Sequence, residues 1–170
     1  MRRTSIEKET EFKALLDTYG GLLAKVCYVY AGPAATFDDL YQEVVVNVWR
    51  GMDGYRGESK LSTWLYRISI NTCITYVRRN NRHSDATPLD GLPFDIVDTS
   101  AGPDDLHSER LRIMYELISH LDPLEKAIVT LWLEDRTYEE IAAITGLTKG
   151  NVAIRLHRIK EKLAKQANKV

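Results

Sequence analysis

The stretch that most constrains this chain is residues 137–163, TYEEIAAITGLTKGNVAIRLHRIKEKL. It reads as two short helices around a tight turn, the second strongly basic. Thr137 stands three residues before Glu140, the spacing of a capping box that satisfies the free N–H groups at a helix start. Ile141, Ala142 and Leu147 supply apolar packing. Gly146 follows the first helix, where a positive φ suits glycine. Thr148 is placed to cap the second helix, in which Val152, Leu156, Ile159 and Leu163 form one stripe at helical spacing. Ala142, Gly146 and Val152 have the spacing of a helix-turn-helix: a small residue at the crossing, a glycine at the corner, a branched residue in the angle. An ordinary helical hairpin with a solvated basic face is the alternative that this stretch alone leaves open.

The second helix and its tail carry Lys149, Arg155, Arg158, Lys160, Lys162, Lys165 and Lys169 against Glu161 alone, an imbalance that suits a polyanion. Opposite the apolar stripe lie Gly150, Ile154, His157 and Glu161, flanked by Asn151 and Arg158. An isoleucine on the wet side of a basic helix makes sense if that side enters a major groove and meets a thymine methyl.

Composition bounds the rest. A chain of 170 residues buries one good core or two small ones. Its formal net charge of -1 excludes a uniformly basic nucleic-acid binder, but charge is segregated. Arg78, Arg79, Arg82 and the last helix are basic, and the region between Asp85 and Asp105 is acidic. Cys27 and Cys73 lie in apolar helical runs and read as reduced core residues of a cytoplasmic protein, a redox pair being the alternative. Charged sequence follows Met1, so no signal peptide is expected, and no run is long enough to span a membrane. The four histidines are scattered and no glycine-rich phosphate loop or activated nucleophile stands out. Neither a catalytic site, a cofactor, a metal nor a small-molecule substrate is therefore expected.

The chain reads as all-α: two small helical domains, 1–81 and 104–170, joined by a flexible acidic linker over 82–103. A first helix is expected from Ile6 to about Tyr30, with a break near Gly20 and Gly21. A second begins near Thr36, with Asp39 as capping carboxylate, and turns Phe37, Leu40, Tyr41, Val44, Val45 and Val48 inward. Asp38, Asp39, Gln42 and Glu43 lie on or beside its solvent side. Taken alone they are explained by the positive end of a helix. A third helix is expected from about Thr63 to Asn80, capped by Ser62 or a neighbour, with Leu65, Ile68, Cys73 and Val77 inward. Around it aromatic and basic groups interleave: Tyr55, Arg56, Lys60, Trp64, Tyr66, Arg67, Tyr76, Arg78 and Arg79. That mixture suits unpaired bases stacked on rings with cations on the phosphates. For Trp64 or Tyr66 by itself, burial in a core serves equally well. Past the proline-, glycine- and aspartate-rich segment a helix returns from Asp104 to His120. Asp122, Pro123 and Glu125 then restart a helix in which Ala127, Ile128, Leu131 and Trp132 face the helix-turn-helix.

Assembled in order, these stretches resemble the extracytoplasmic-function group of bacterial RNA polymerase sigma factors. Asp38-Asp39-Leu40-Tyr41-Gln42-Glu43 through Trp49-Arg50, and Ser62-Thr63-Trp64-Leu65-Tyr66-Arg67-Ile68 through Asn71 to Arg78-Arg79, look like that family's second region. Leu121-Asp122-Pro123, Tyr138-Glu139-Glu140-Ile141-Ala142 and Arg155-Leu156-His157-Arg158 look like its fourth. The resemblance implies a promoter-specificity subunit with no catalysis of its own, its partners being core RNA polymerase, double-stranded promoter DNA, the non-template single strand and an anti-sigma factor. It implies that Asp38, Asp39, Gln42 and Glu43 dock on the polymerase clamp. It gives Tyr55, Arg56, Lys60, Ser62, Trp64, Arg67, Asn71, Arg78 and Arg79 to the minus-ten element. It gives Thr148, Lys149, Gly150, Asn151, Ile154, Arg155 and Arg158 to the minus-thirty-five element. Elements roughly seventeen base pairs apart are separated by about 60 Å at about 3.4 Å per pair. A linker of twenty-odd residues spans about 70 Å when extended. The chain departs from the family at Thr75, where an acid is common, and at Ala153-Ile154, where Lys-Ser is common. An ordinary helix-turn-helix regulator binding duplex DNA as a dimer, and a fold that only sequesters a partner, are the competing readings.

Overall fold

A computed structural model describes residues 4–83 and 105–169. The described residues form seven α-helices and one short 3-10 turn, with no strand among them. The chain divides after His83 into two compact units, each with its own core.

The first unit is three helices. α1 spans Ser5–Tyr30, α2 Phe37–Gly51 and α3 Leu61–His83, with the 3-10 turn Met52–Gly54 after α2. Thr4 and Glu7 close a reciprocal capping box at the start of α1. Thr36 caps α2 by accepting from the Asp39 N–H at 3.2 Å, so at this start the bond runs to the threonine hydroxyl. Leu23, Val26 and Cys27 of α1, Leu40, Val44 and Val48 of α2, and Leu65 and Cys73 of α3 meet in a sealed core. Each large side chain there contributes about 1.5–3 kcal/mol over its exposed state. Both cysteines are free thiols. The Cys73 thiol is pushed well above the ordinary range by its hydrogen bond with Cys27 and by burial.

Three expectations need correction here. α1 does not break at Gly20 and Gly21 but runs on as one helix. Two glycines cost about 1 kcal/mol each in a helix. Around them Leu15, Leu23, Val26 and Cys27 stay buried, and packing outweighs propensity. A β-carbon at Gly20 would stand 3.4 Å from the Tyr41 hydroxyl, an ordinary contact, and one at Gly21 would meet nothing within 4 Å, so close packing requires neither glycine. α3 starts at Leu61, two residues early, and continues to His83, so Arg82 is helical. The Lys60 carbonyl accepts from the Trp64 N–H, which places Ser62 inside the first turn rather than at the cap. Finally, α3 buries a wider face than one stripe. Tyr66, Ser69, Ile70 and Thr72 are buried with Leu65 and Cys73 because α3 packs on both α1 and α2. Its polar members are satisfied: the Ser69 hydroxyl donates to the Leu65 carbonyl at 2.7 Å, and Asn47 Nδ2 donates to Thr72 Oγ1 at 3.1 Å.

The second unit comprises α4 Asp105–Ser119, α5 Pro123–Leu133, α6 Tyr138–Thr145 and α7 Lys149–Ala167. Capping boxes open α5 (Asp122 with Glu125, Pro123 in the first turn) and α6 (Thr137 with Glu140). Gly146 closes α6 at φ 77°, the left-handed corner expected of it, and Thr148 accepts from the Asn151 N–H to cap α7. Ile118, Leu121, Ile128, Leu131, Ile141, Val152, Leu156 and Ile159 form the core. Trp132 faces α7 of the helix-turn-helix as expected, but from its edge, with 36% of its surface exposed. Its ring lies under the Lys160 ammonium, 4.2 Å from the centroid. Residues 84–103 of the expected linker, and Asp104 at the expected start of the next helix, lie outside the described residues. Among the described residues no helix is long and apolar enough to cross a membrane.

Candidate nucleic-acid interface

Three surfaces gather the expected site residues. On α2, Asp38, Asp39 and Gln42 are exposed and Glu43 is half-buried. Their spacing stacks Asp38 on Gln42 and Asp39 on Glu43. Val46, 40% exposed, continues the face by one turn. Asp38 and Asp39 also occupy the first turn of the helix, where the dipole favours them. Position therefore accounts for two of the four residues without a partner, but not for Gln42 or Glu43.

The second surface is the 55–60 loop with α3. The Tyr55 hydroxyl donates to the Ser59 carbonyl at 2.6 Å, and its ring lies 5.1 Å from that of Trp64, tilted by 40°. Trp64 is half-buried, in contact with Gly51, where a β-carbon would stand only 3.1 Å from the indole. Tyr66 is core, 2% exposed, which settles its two open readings in favour of burial. Beside the loop is a cleft of about 320 Å³ lined by Leu15, Tyr19, Met52, Tyr55, Leu61 and Trp64. Arg56 and Lys60 are exposed at the loop and Ser62 is half-buried. Along α3, Arg67, Asn71, Arg78 and Arg82 recur at intervals of four, seven and four, all exposed, making a polar ridge about 22 Å long. Arg79, also exposed, stacks its guanidinium over Tyr76 at 5.5 Å. Asn80 Nδ2 donates to the Ala34 carbonyl at 2.9 Å, which ties the basic end of α3 to the α1–α2 turn.

The third surface is α7. Lys149, Gly150, Asn151, Ile154, Arg155, His157, Arg158 and Glu161 are all exposed, and Ile154 keeps 54% of its surface open. The face opposite Val152, Leu156 and Ile159 is thus the one the helical wheel indicates. Thr148 spends its hydroxyl oxygen on the helix cap. Behind α7, Lys162 donates to Glu125 at 2.8 Å, and the bond raises the ammonium's pKa above its ordinary value. That lysine braces α7 on α5.

Several features escaped the sequence. Lys149 is not free: its ammonium lies 2.5 Å from the Glu139 carboxylate, and this bond holds Glu139 below the usual carboxylate range. Lys8 reaches Asp53 at 2.5 Å, across 45 residues of chain. No short-range pattern signals either pair. A half-open apolar groove of about 290 Å³ lies between α4, α5 and α7, lined by Ile113, Met114, Leu117, Trp132, Leu133 and Leu163. Among the described residues no group of three or more His, Cys, Asp or Glu side chains converges as a metal site.

Residues 15–83 match the family model Sigma-70 region 2, and residues 111–163 match Sigma-70, region 4. The chain is 31% identical over 159 residues to the ECF RNA polymerase sigma-E factor of Escherichia coli K12, covering 88% of this chain and 83% of that one. It is 34% identical over 160 residues to the Haemophilus influenzae protein of the same name, with 88% and 84% covered. Two solved structures share the fold. One is the sigma factor RpoE of Bartonella quintana in complex with the anti-sigma factor NepR, with a TM-score of 0.75 and 22% identity over 93% of this chain and 97% of that one. The other is CnrH in complex with the cytosolic domain of CnrY, with a TM-score of 0.66 and 20% identity over 94% and 89%. A region 2 unit followed by a region 4 unit defines a sigma factor, the class of subunit that gives RNA polymerase its promoter specificity. The chain belongs to the ECF RNA polymerase sigma factors. Proteins of that family are regulatory subunits rather than enzymes.

Proposed function

We propose that this chain is a cytoplasmic, non-catalytic promoter-specificity subunit in which α2 docks on core polymerase, the 55–60 loop with α3 takes the minus-ten element, and α7 reads the minus-thirty-five element. The observation that carries this reading is the pairing of two different nucleic-acid surfaces on one chain. One is an aromatic and basic surface suited to unpaired bases, and the other a basic helix suited to a major groove.

Asp38, Asp39, Gln42 and Glu43 form the docking face, since they supply acceptors and charge on the exposed side of α2. Tyr55 and Trp64 offer rings to a base leaving the stack, with Ser62 and Asn71 as polar contacts. Arg56, Lys60, Arg67, Arg78 and Arg79 track the backbone. Unstacking a base costs a few kcal/mol and stacking on a ring returns about 1–3 kcal/mol, so melting can proceed without ATP. On α7, Asn151, Ile154, Arg155 and Arg158 face base edges. The Thr148, Lys149 and Gly150 turn approaches phosphate at the helix N-terminus. The segment between α3 and α4 tethers the two readers, so affinity comes largely from the holoenzyme and a net charge of -1 is no obstacle. The two solved neighbours were each seen with a bound protein, one of them an anti-sigma factor, which supports a protein inhibitor for this chain as well.

Adding the chain to core RNA polymerase and mapping transcripts on genomic DNA tests the reading. Transcripts from a discrete set of start sites that share two upstream elements are expected. Tight duplex binding without polymerase, and no new transcript with it, would favour a dimeric regulator.

A further inference from the structure

The first turns of α1 are wired into the loop that follows α2. Lys8 Nζ lies 2.5 Å from Asp53 Oδ2, and the same ammonium stands 4.5 Å from the centroid of the Trp49 ring. The Lys8 side chain is only 15% exposed, whereas Asp53 is 61% exposed. One turn further along α1, Phe12 meets Trp49 edge to face at 5.1 Å. Asp53 is the middle residue of the 3-10 turn Met52–Gly54, and the Tyr55 N–H then donates to the Met52 carbonyl. From Tyr55 the contacts continue to Trp64 and to the Ser59 carbonyl.

An isolated surface ion pair contributes little, because water screens it and two long side chains must be ordered. This cation differs in being held on a second side by an indole face and largely withdrawn from solvent. Its carboxylate partner sits on the turn that sets where the loop begins.

We propose that Lys8 is a positioning residue for promoter opening: by holding Asp53 it fixes the start of the 55–60 loop and keeps Tyr55 and Trp64 arranged as a platform before an unpaired base arrives. The proposal rests on assigning that loop to the minus-ten element. A platform ordered in advance does not pay the ordering cost at the moment of capture. Lys8 itself touches no DNA in this arrangement. Its loss slows strand opening and leaves polymerase affinity and the initial duplex complex alone.

The test uses holoenzymes carrying the full chain, on a promoter enriched by the wild-type holoenzyme from randomised DNA. Permanganate reactivity of unpaired thymines gives the opening rate, and competition before opening gives the closed-complex constant. Lys8→Met and Asp53→Asn are each expected to slow opening on the order of tenfold, with unchanged polymerase affinity and closed-complex constant. Lys8→Arg, which keeps a cation between Asp53 and the Trp49 ring, is expected to retain most of the rate. Opening at the wild-type rate in both single variants, or an equal loss of polymerase affinity and opening, would overturn the proposal. Wild-type holoenzyme that enriches DNA and initiates without a minus-ten preference would remove the loop assignment, and the proposal with it.

Discussion

Glu139 and Lys149 form an ion pair of 2.5 Å across the turn of the helix-turn-helix, with both side chains more than half exposed. Glu139 lies in the first turn of α6 and Lys149 is the first residue of α7. The pair places a carboxylate beside a lysine proposed to contact DNA, where a phosphate would compete with it for that ammonium.

Glu139→Gln should therefore tighten minus-thirty-five binding by the holoenzyme and steepen its salt dependence by about one phosphate contact. Filter binding across a salt series measures this. The pH dependence has a definite sign. The Glu139 carboxyl is depressed in the fold, so whatever the pair contributes to stability is complete above the unfolded carboxylate pKa. It is lost as pH falls through the lower folded value. Melting temperature at neutral pH should hardly move, because both groups are well solvated.

Asp39→Lys with Glu43→Lys should lower core polymerase affinity at least tenfold by placing cations on the docking face. Asp39 is exposed and Glu43 half-buried, so the helical circular dichroism should be retained. Unchanged affinity in a pull-down titration would remove α2 from the docking assignment.

Ile154→Ser should alter preference at one or two minus-thirty-five positions, since the side chain is more than half exposed at the centre of the outer face of α7. Selection from a randomised minus-thirty-five element reads the change. A uniform loss across all sequences would mean that Ile154 supplies only bulk against the backbone.

Gly146→Ala should destabilise the second unit by about 1–2 kcal/mol, because a φ of 77° is costly for a residue with a β-carbon. In a unit of this size about 1 kcal/mol corresponds to about 4–8 °C in Tm. Leu40→Ala in the first unit should cost about 2–5 kcal/mol, since Leu40 is fully buried. Calorimetry reads both changes.

Features set by neighbours three or four residues apart were legible in the sequence. The Thr137–Glu140 and Asp122–Glu125 capping boxes, the Gly146 corner and the outward face of α7 follow from local chemistry. Features set by tertiary packing were not. Gly20 and Gly21 look like a helix break until the burial of the apolar residues around them is known. The inward positions read for α3 miss Ser69, Ile70 and Thr72, because two helices cover α3 rather than one. The exposure of the candidate residues on α2 and α7 was legible from helical spacing. The bonds of Lys8 to Asp53 and Lys149 to Glu139 were not, because each joins distant turns whose meeting depends on how the helices pack.

On the proposed reading, the two readers on this chain act only when a polymerase places them. Footprinting on a promoter enriched by the holoenzyme measures this directly, with hydroxyl radicals for contacts and permanganate for opening. With core polymerase present, protection at two separate elements is expected, with unpaired thymines confined to the minus-ten element and lost on Trp64→Ala. The same two-element protection from the free chain, or thymines that open equally with the Trp64→Ala protein, would contradict it.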